Sequence, residues 1–184
     1  GIEGRYRADQ PQTHGRKALA DLLAAAGFTH ADFLSALPDY KLPVSIVTSS
    51  GLNSADFDAA ALASQSAHRD PQLPKQLAFS PELVWPAVMD NGLGVDLANS
   101  FLIAASMSGA TALDAGVLAY HYSTERMRDF CKQTVFRRAA GGAIGVHCAL
   151  LAQGDLAAHG PLLALHIPAY TPYFRGRTLA SELV

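Results

Sequence analysis

Residues 99–116, NSFLIAASMSGATALDAG, have the residue pattern of a catalytic turn. A short apolar run, a turn of small residues and a predicted helix follow one another, and many α/β enzymes hold a nucleophile at such a turn. Met107 lies at the predicted apex, and its thioether has no ionisable proton with which to serve as a thiolate nucleophile. Ser106 and Ser108 flank it, and either serine would need a base within hydrogen-bond reach.

Gly109 and Ala110 continue this predicted turn. Small side chains allow backbone amides to approach a ligand, and a helix N-terminus favours negative charge. The segment therefore predicts either a binding turn with two candidate serines or a tightly packed strand, turn and helix without a catalytic role.

Among the seven histidines, His147 is the candidate base, because it interrupts an apolar run immediately before Cys148. A buried, hydrogen-bonded structural role is the alternative for this residue. No histidine pair has the spacing of a helical metal site, and no glutamate accompanies one as in HExxH. Cys131 and Cys148 lack the spacing of metal ligands or of a disulfide framework. The sequence therefore predicts no metal and no cofactor.

Helices and strands that could position these residues follow from apolar periodicity and from capping signals. Helices are predicted at 16–26, 30–37, 53–67 and from Ser80, and another is predicted from Thr111 towards Tyr122, with His121 capping its end. Strands are predicted at 42–49, 99–106, 143–152 and 161–168, with a turn at 153–155, and the charged residues 125–138 predict a solvated helix face. This order predicts an α/β domain in which a layered mixed sheet is flanked by helices.

The composition favours one domain with a protein partner. The chain has 184 residues, of which 49% are apolar and 16% charged, which predicts an apolar surface buried against a partner or a second subunit. Residues 1–5, GIEGR, resemble the protease-cleavage remnant of an expression tag, which leaves 6–184 as the domain. A net charge of −2 without a basic stripe disfavours nucleic acid. No apolar run reaches about 18 residues, so we expect no membrane span and a cytoplasmic location.

Several of these segments together resemble the N-terminal half of thiolase-fold condensing enzymes of the β-ketoacyl synthase III kind. The similarity covers roughly residues 17–167, and its nucleophile motif is AACSGFLYALDVA in the family and AASMSGATALDAGVLA at 104–119 here. Met107 stands where the cysteine belongs. The other matching segments are SIVTSS at 45–50, LGV at 93–95 and FRRAAGGAIGV at 136–146. The matching positions of the motif are Ser108, Gly109, Ala112, Leu113 and Asp114.

This resemblance implies one half of a thiolase-like fold and a pseudoenzyme. The implied function is a non-catalytic, ketosynthase-like partner or acyl-chain-binding subunit in fatty-acid or polyketide biosynthesis. Its partner would be a ketosynthase subunit, an acyl carrier protein or a second copy, and Arg137 and Arg138 are the candidate contacts with a carrier or with a coenzyme phosphate.

Two alternatives to this function stay open. The chain could be an acyltransferase or hydrolase that uses Ser106 or Ser108 with His147. It could also be a small interaction module in which Met107 lies in the core with no cleft above it.

Overall fold

The computed structural model describes residues 13–70, 77–109, 113–151 and 170–173. The helices are α1 (Arg16–Ala25), α2 (Ser49–Leu52), α3 (Ala59–Ala67) and α4 (Pro81–Asp90), and residues Arg128–Phe130 form a 3₁₀ turn. The strands are β1 (His30–Leu37), β2 (Ser45–Thr48), β3 (Phe101–Ser106), β4 (Val117–Ser123), β5 (Lys132–Arg138), β6 (Ile144–Leu150) and β7 (Tyr170–Pro172).

The predicted termini of α1 and α4 are confirmed. Helix α1 ends just before Gly27, whose φ of +92° is the left-handed conformation that favours glycine. Helix α4 begins at Pro81 after the N-cap Ser80, and Glu82 lies in its first turn. Helix α3 begins later than predicted, because Asp58 accepts a hydrogen bond from the backbone N–H of Ala61 and caps it there.

The strands form one sheet in the order β3-β1-β2-β4-β5-β6-β7. Helices and a sheet are combined as predicted, but the prediction of a mixed sheet is wrong for the described strands, since every pairing is antiparallel. Short connections account for the β1–β2, β4–β5 and β5–β6 pairs, because antiparallel neighbours can be joined by a tight turn whereas parallel ones need a long crossover. The β1–β3 and β2–β4 pairs instead join segments that are distant along the chain. The predicted turn at 153–155 and the predicted strand at 161–168 lie outside the described residues.

Two predicted helices are strands. Residues 30–37 form β1, which pairs with β2 on one edge and with β3 on the other, and Phe33 to Leu37 are all buried. Residues 117–123 form β4, which lies between β2 and β5, so no helix ends at His121. Pairing on both edges satisfies the backbone N–H and C=O groups of these segments, which outweighs their helix-like local pattern.

The charged residues 125–138 do not form a helix face either. They contain the 3₁₀ turn and β5, and the glycine turn that follows leads into β6 as predicted, with Gly142 at a φ of +86°. Helices α3 and α4 contact each other, and α3 also contacts β1 and β2. The core is therefore formed where these helices meet the central strands, around Val47, Leu118 and Ala119.

Candidate functional site

The predicted nucleophile turn lies at the end of β3 and is exposed. Ser106 Oγ and Ser108 Oγ are 2.9 Å apart, and the backbone N–H of Ser108 donates to Ser106 Oγ at 3.2 Å. Met107 is 64% exposed, so the expectation that it lies in the core is wrong. Gly109 has a φ of +79°, and Ala110 lies outside the described residues. The two hydroxyls thus bond with each other on the surface.

His147 lies on β6, where its ring packs edge-on against Tyr170 with centroids 5.1 Å apart. Four strands stand between β3 and β6, so five spacings of about 4.8 Å, roughly 24 Å along the sheet, separate them. The nitrogen of a general base must lie within about 3 Å of the oxygen whose proton it takes. The structure therefore does not bring His147 together with Ser106 or Ser108, and it provides no Ser–His pair at these positions.

Arg137 and Arg138 are both engaged in ion pairs. Arg137 Nη1 lies 2.6 Å from Asp114 Oδ2, and Arg138 Nη1 donates to Asp56 Oδ2 at 2.6 Å. Arg138 also donates to Ser54 Oγ, and its guanidinium and this serine hold the pKa of Asp56 well below its usual range. Arg138 therefore holds the 53–58 loop against the end of β5, and a carrier or coenzyme phosphate would have to displace these carboxylates.

A different serine and histidine do form a hydrogen bond. Ser45 Oγ lies 2.9 Å from His121 Nδ1, and Ser66 Oγ donates to Ser45 Oγ at 3.4 Å. Burial, and then the positive charges of Arg69 and Lys132, lower the pKa of His121. Because Ser45 has 0% of its surface exposed, no substrate reaches its hydroxyl, and the pair is a buried structural bond.

The structure contains an open cleft between the 53–58 loop and α4, which we call the α3–α4 cleft. Its volume is about 670 Å³, within the range of small-molecule sites. Its lining residues are Leu52, Asn53, Ser54, Ala55, Phe57, Asp58, Ala59, Ala60, Glu82, Leu83, Pro86, Met89 and Asp90. The floor is formed by the lining residues that belong to the buried core, which are Leu52, Phe57, Ala59 and Ala60. The rim carries the carboxylates of Asp58, Glu82 and Asp90.

One face of α4 forms a wall of this cleft. The lining residues of α4 follow helical spacing, so they lie on one side of the helix. They are Glu82, Leu83, Pro86, Met89 and Asp90. The two carboxylates stand at the ends of this stripe, and three apolar side chains lie between them. Eight residues at a rise of 1.5 Å each place the Cα atoms of Glu82 and Asp90 about 12 Å apart along the helix axis.

The cleft is negatively charged. Glu82 accepts hydrogen bonds from Ser80 Oγ and from His68 Nε2, each at 2.5 Å, and these lower its pKa to about 2. Asp58 lies on the opposite wall, where its Oδ1 accepts from Ala61 N–H at 2.9 Å. The lining residues include no lysine, arginine or histidine, although His68 bonds to Glu82 and Arg138 bonds to Ser54 from just outside the cleft. The three lining carboxylates, on Asp58, Glu82 and Asp90, favour cations at the rim.

Hydrogen bonds from distant strands hold the loop side of the cleft. The backbone N–H of Asp58 donates to Tyr173 Oη at 3.0 Å, and the Arg138–Asp56 pair fixes the same loop. Phe57 packs against Phe136 and Tyr173 with ring centroids 5.3 and 5.5 Å apart. This wall is therefore preorganised before any ligand arrives.

The sequence prediction did not identify the cleft or the Ser45–His121 pair. The signal for one wall was present, because the helix start at Ser80 and the spacing of residues 82–90 place two carboxylates on one face. The opposite wall depends on contacts of the 53–58 loop with Arg138 and Tyr173. Their sequence separations from Asp56 and Asp58 are 82 and 115 residues, so the local pattern contains no signal for these contacts.

Two absences apply to residues 13–70, 77–109, 113–151 and 170–173. No helix there has both the length and the apolar character needed to cross a bilayer. No group of three or more His, Cys, Asp or Glu side chains there is placed so that it could hold a metal ion. Comparison of the chain with protein-family models, with curated proteins and with solved structures found no match.

Proposed function

We propose that this chain is a non-catalytic binding domain whose α3–α4 cleft takes an organic cation, a protonated amine on a hydrocarbon body. The observation that carries the proposal is the composition of the cleft, in which an apolar floor lies between carboxylates and no basic side chain lines the walls. Leu83, Pro86 and Met89 would contact the hydrocarbon, and burying it contributes roughly 25 cal/mol per Å². The exposed Asp90 would bind the ammonium, or Glu82 would bind it in place of the hydrogen bond from His68.

The non-catalytic part of the proposal is supported by the residues lining the cleft. They include no histidine and no cysteine, and Ser54 Oγ donates to Asp56. Asp58 is occupied as the N-cap of α3. These groups therefore offer charge and shape, but no nucleophile paired with a base.

Binding of three ligands of equal chain length tests the proposal. Octylamine, octanol and octanoate each have eight carbons and carry a cationic, a neutral and an anionic head group. Each is titrated into the full chain by calorimetry, with the fluorescence of Trp85 on α4 as a local reporter. We expect octylamine to bind with a Kd of about 1 mM or lower, which nine non-hydrogen atoms can supply. Octanol should bind more weakly, and octanoate at least about tenfold more weakly than octylamine, because carboxylates repel it.

The opposite order would contradict the proposal. If octanoate or an octanoyl thioester binds more tightly than octylamine, the cleft prefers acyl chains, as the ketosynthase-like function predicts. If none of the ligands binds, the cleft has no such function.

The role of a ketosynthase-like partner stays a prediction. The low charge and the exposed apolar side chains support it in general terms, since obligate interfaces are apolar. Mixing the chain with a cognate synthase or acyl carrier protein and measuring the mass of the complex tests it directly, and a chain that binds neither would exclude it.

A further inference from the structure

We infer that the chain binds a phosphate group at a second site, formed by His121 on β4, Lys132 on β5 and Arg69 just after α3. This inference goes beyond the proposed function, because none of the three residues lines the α3–α4 cleft and the ligand has the opposite charge. Strand register, hydrogen bonding and the distribution of ion pairs support it.

Strand register places Lys132 beside His121. His121 lies directly opposite Thr134 on β5, and Lys132 lies two residues before Thr134. Because residues two apart in a strand point to the same face of the sheet, Lys132 shares a face with His121. Diagonal neighbours of this kind lie about 7–8 Å apart, a distance that a long side chain spans.

Helix α3 brings Arg69 to the same face. Ser66 near the end of the helix donates to Ser45 Oγ at 3.4 Å, and Ser45 lies directly opposite His121 on the neighbouring strand. The backbone N–H of Arg69 donates to the Ser66 carbonyl at 3.0 Å, so Arg69 lies in the turn after the helix. After burial, the charges of Arg69 and Lys132 are the causes that lower the pKa of His121, which requires both to lie near its ring.

The free nitrogen of His121 is suited to an anion. Ser45 Oγ accepts from Ser66 and bonds to His121 Nδ1 at 2.9 Å, so the Ser45 proton points to Nδ1 and the proton of the neutral ring lies on Nε2. Within the described ranges Nε2 has no hydrogen-bond partner, and the side-chain atom there that is both buried and unpaired is Ser100 Oγ. Nε2 therefore reaches solvent as an N–H donor.

The two cations of this site are not neutralised by carboxylates. No ion pair of the described residues includes Arg69 or Lys132, whereas Arg137 and Arg138 are both paired. Arg69, Lys132 and His121 are also partly buried, which reduces the screening of their charges. A phosphate group can therefore accept hydrogen bonds from all three side chains without displacing a carboxylate, and its negative charge offsets their mutual repulsion.

Titration of inorganic phosphate into the full chain tests the inference. NMR follows the histidine ring signals, sodium chloride at equal ionic strength is the control for screening, and loss of one signal in His121→Gln assigns the ring. We expect phosphate to bind with a Kd of about 1–5 mM, since the cations remain partly hydrated. Bound phosphate should raise the pKa of His121, because a nearby negative charge favours the protonated ring.

Four variants locate the site. Arg69→Gln and Lys132→Gln should each weaken phosphate binding at least about fivefold, because each removes a charge-assisted hydrogen bond. Arg69→Lys keeps the charge and should stay within about threefold of the wild type. Arg137→Gln is the matched control, since this arginine is paired with Asp114, and it should leave the Kd unchanged. Circular dichroism of each variant shows whether the fold is retained.

The outcomes separate this inference from the proposed function. If phosphate leaves the His121 signal and its pKa unchanged, or if Arg69→Gln and Lys132→Gln bind phosphate as the wild type does, the inference fails and the cleft proposal is unaffected. If Arg137→Gln alone loses phosphate, the anion binds at the end of β5 and the assignment to His121 is overturned. Octylamine should bind equally to the wild type and to Arg69→Gln, and a chain that binds phosphate but no octylamine would contradict the cleft proposal alone.

Discussion

The turn at residues 106–109 and the α3–α4 cleft are opposite cases of a candidate site. The turn has the sequence of a catalytic motif, yet its two serines bond to each other and Met107 projects from the surface. The cleft has no recognisable motif, yet it is hollow, charged at the rim and apolar at the floor. The difference shows that a binding site depends on a concave surface, which forms only when distant segments pack together.

A pair of matched substitutions should give the largest difference between the two regions. Leu83→Lys places an ammonium inside the cleft, and Met107→Lys places one at the turn; both residues are well exposed, so neither change should unfold the chain. Lost apolar contact and charge repulsion should together cost about 2 kcal/mol, roughly a thirtyfold weaker Kd for octylamine in Leu83→Lys. Calorimetric titration measures this loss, and Met107→Lys should bind as the wild type does. Equal Kd values for the two variants would remove the cleft as the site.

Stability should separate the buried serine from the exposed one. Ser45→Ala removes the fully buried hydroxyl that bonds to Nδ1 of the partly buried His121, and it should cost about 2 kcal/mol of unfolding free energy. Ser106→Ala removes an exposed hydroxyl and should change the unfolding free energy by less than about 0.5 kcal/mol. Urea titrations followed by circular dichroism give both values. A larger loss of unfolding free energy for Ser106→Ala than for Ser45→Ala would mean that the turn is more tightly packed than the surroundings of Ser45.

The charge of the cleft should appear in the acid dependence of stability. Because hydrogen bonds from Ser80 and His68 lower the pKa of Glu82 to about 2 from a usual 4.5, ionised Glu82 stabilises the fold above pH 4.5. This contribution is lost as the pH falls from 4.5 to about 2, where the folded-state carboxyl takes up its proton. Thermal unfolding at several pH values should show the wild type losing more stability over this window than Glu82→Gln. Parallel curves for the two proteins would show that these hydrogen bonds do not favour the ionised form.

The smallest effect is expected at the turn itself. A variant with both Ser106→Ala and Ser108→Ala should keep the wild-type affinity for octylamine, because the turn and the cleft share no residue. Intact mass after incubation with an activated acyl thioester should show no adduct on Ser106 or Ser108 in the wild type. An adduct that disappears in the double variant would instead restore the acyltransferase hypothesis with a base other than His147.

Local sequence signals predicted the ends of the elements better than their type. The proline after Ser80 and the glycine after α1 mark helix termini through the backbone, and both predictions are confirmed. Helices were predicted at 30–37 and from Thr111 towards Tyr122, because short runs of apolar and small side chains fit both the helical and the strand periodicity. Pairing of the first segment with β3 and of the second with β2, partners far along the chain, decided that they are strands.

The candidate site could be predicted only in part for the same reason. The carboxylates of Glu82 and Asp90 on one helix face follow from spacing alone. The floor and the opposite wall follow from contacts such as Arg138 with Asp56 and Tyr173 with Asp58, which join residues more than 80 positions apart. The separation of His147 from Ser106 likewise follows from strand order, which no local pattern contains.

By itself, the sequence determined that position 107 holds no thiolate, that α4 begins after the N-cap Ser80 with a carboxylate in its first turn, and that charge is sparse. Tertiary structure alone decided which segments are strands, which serine meets a histidine and where a cleft opens. The physical reason is that side-chain chemistry and helix caps act within a few residues, whereas strand pairing and concave surfaces arise from contacts between distant segments.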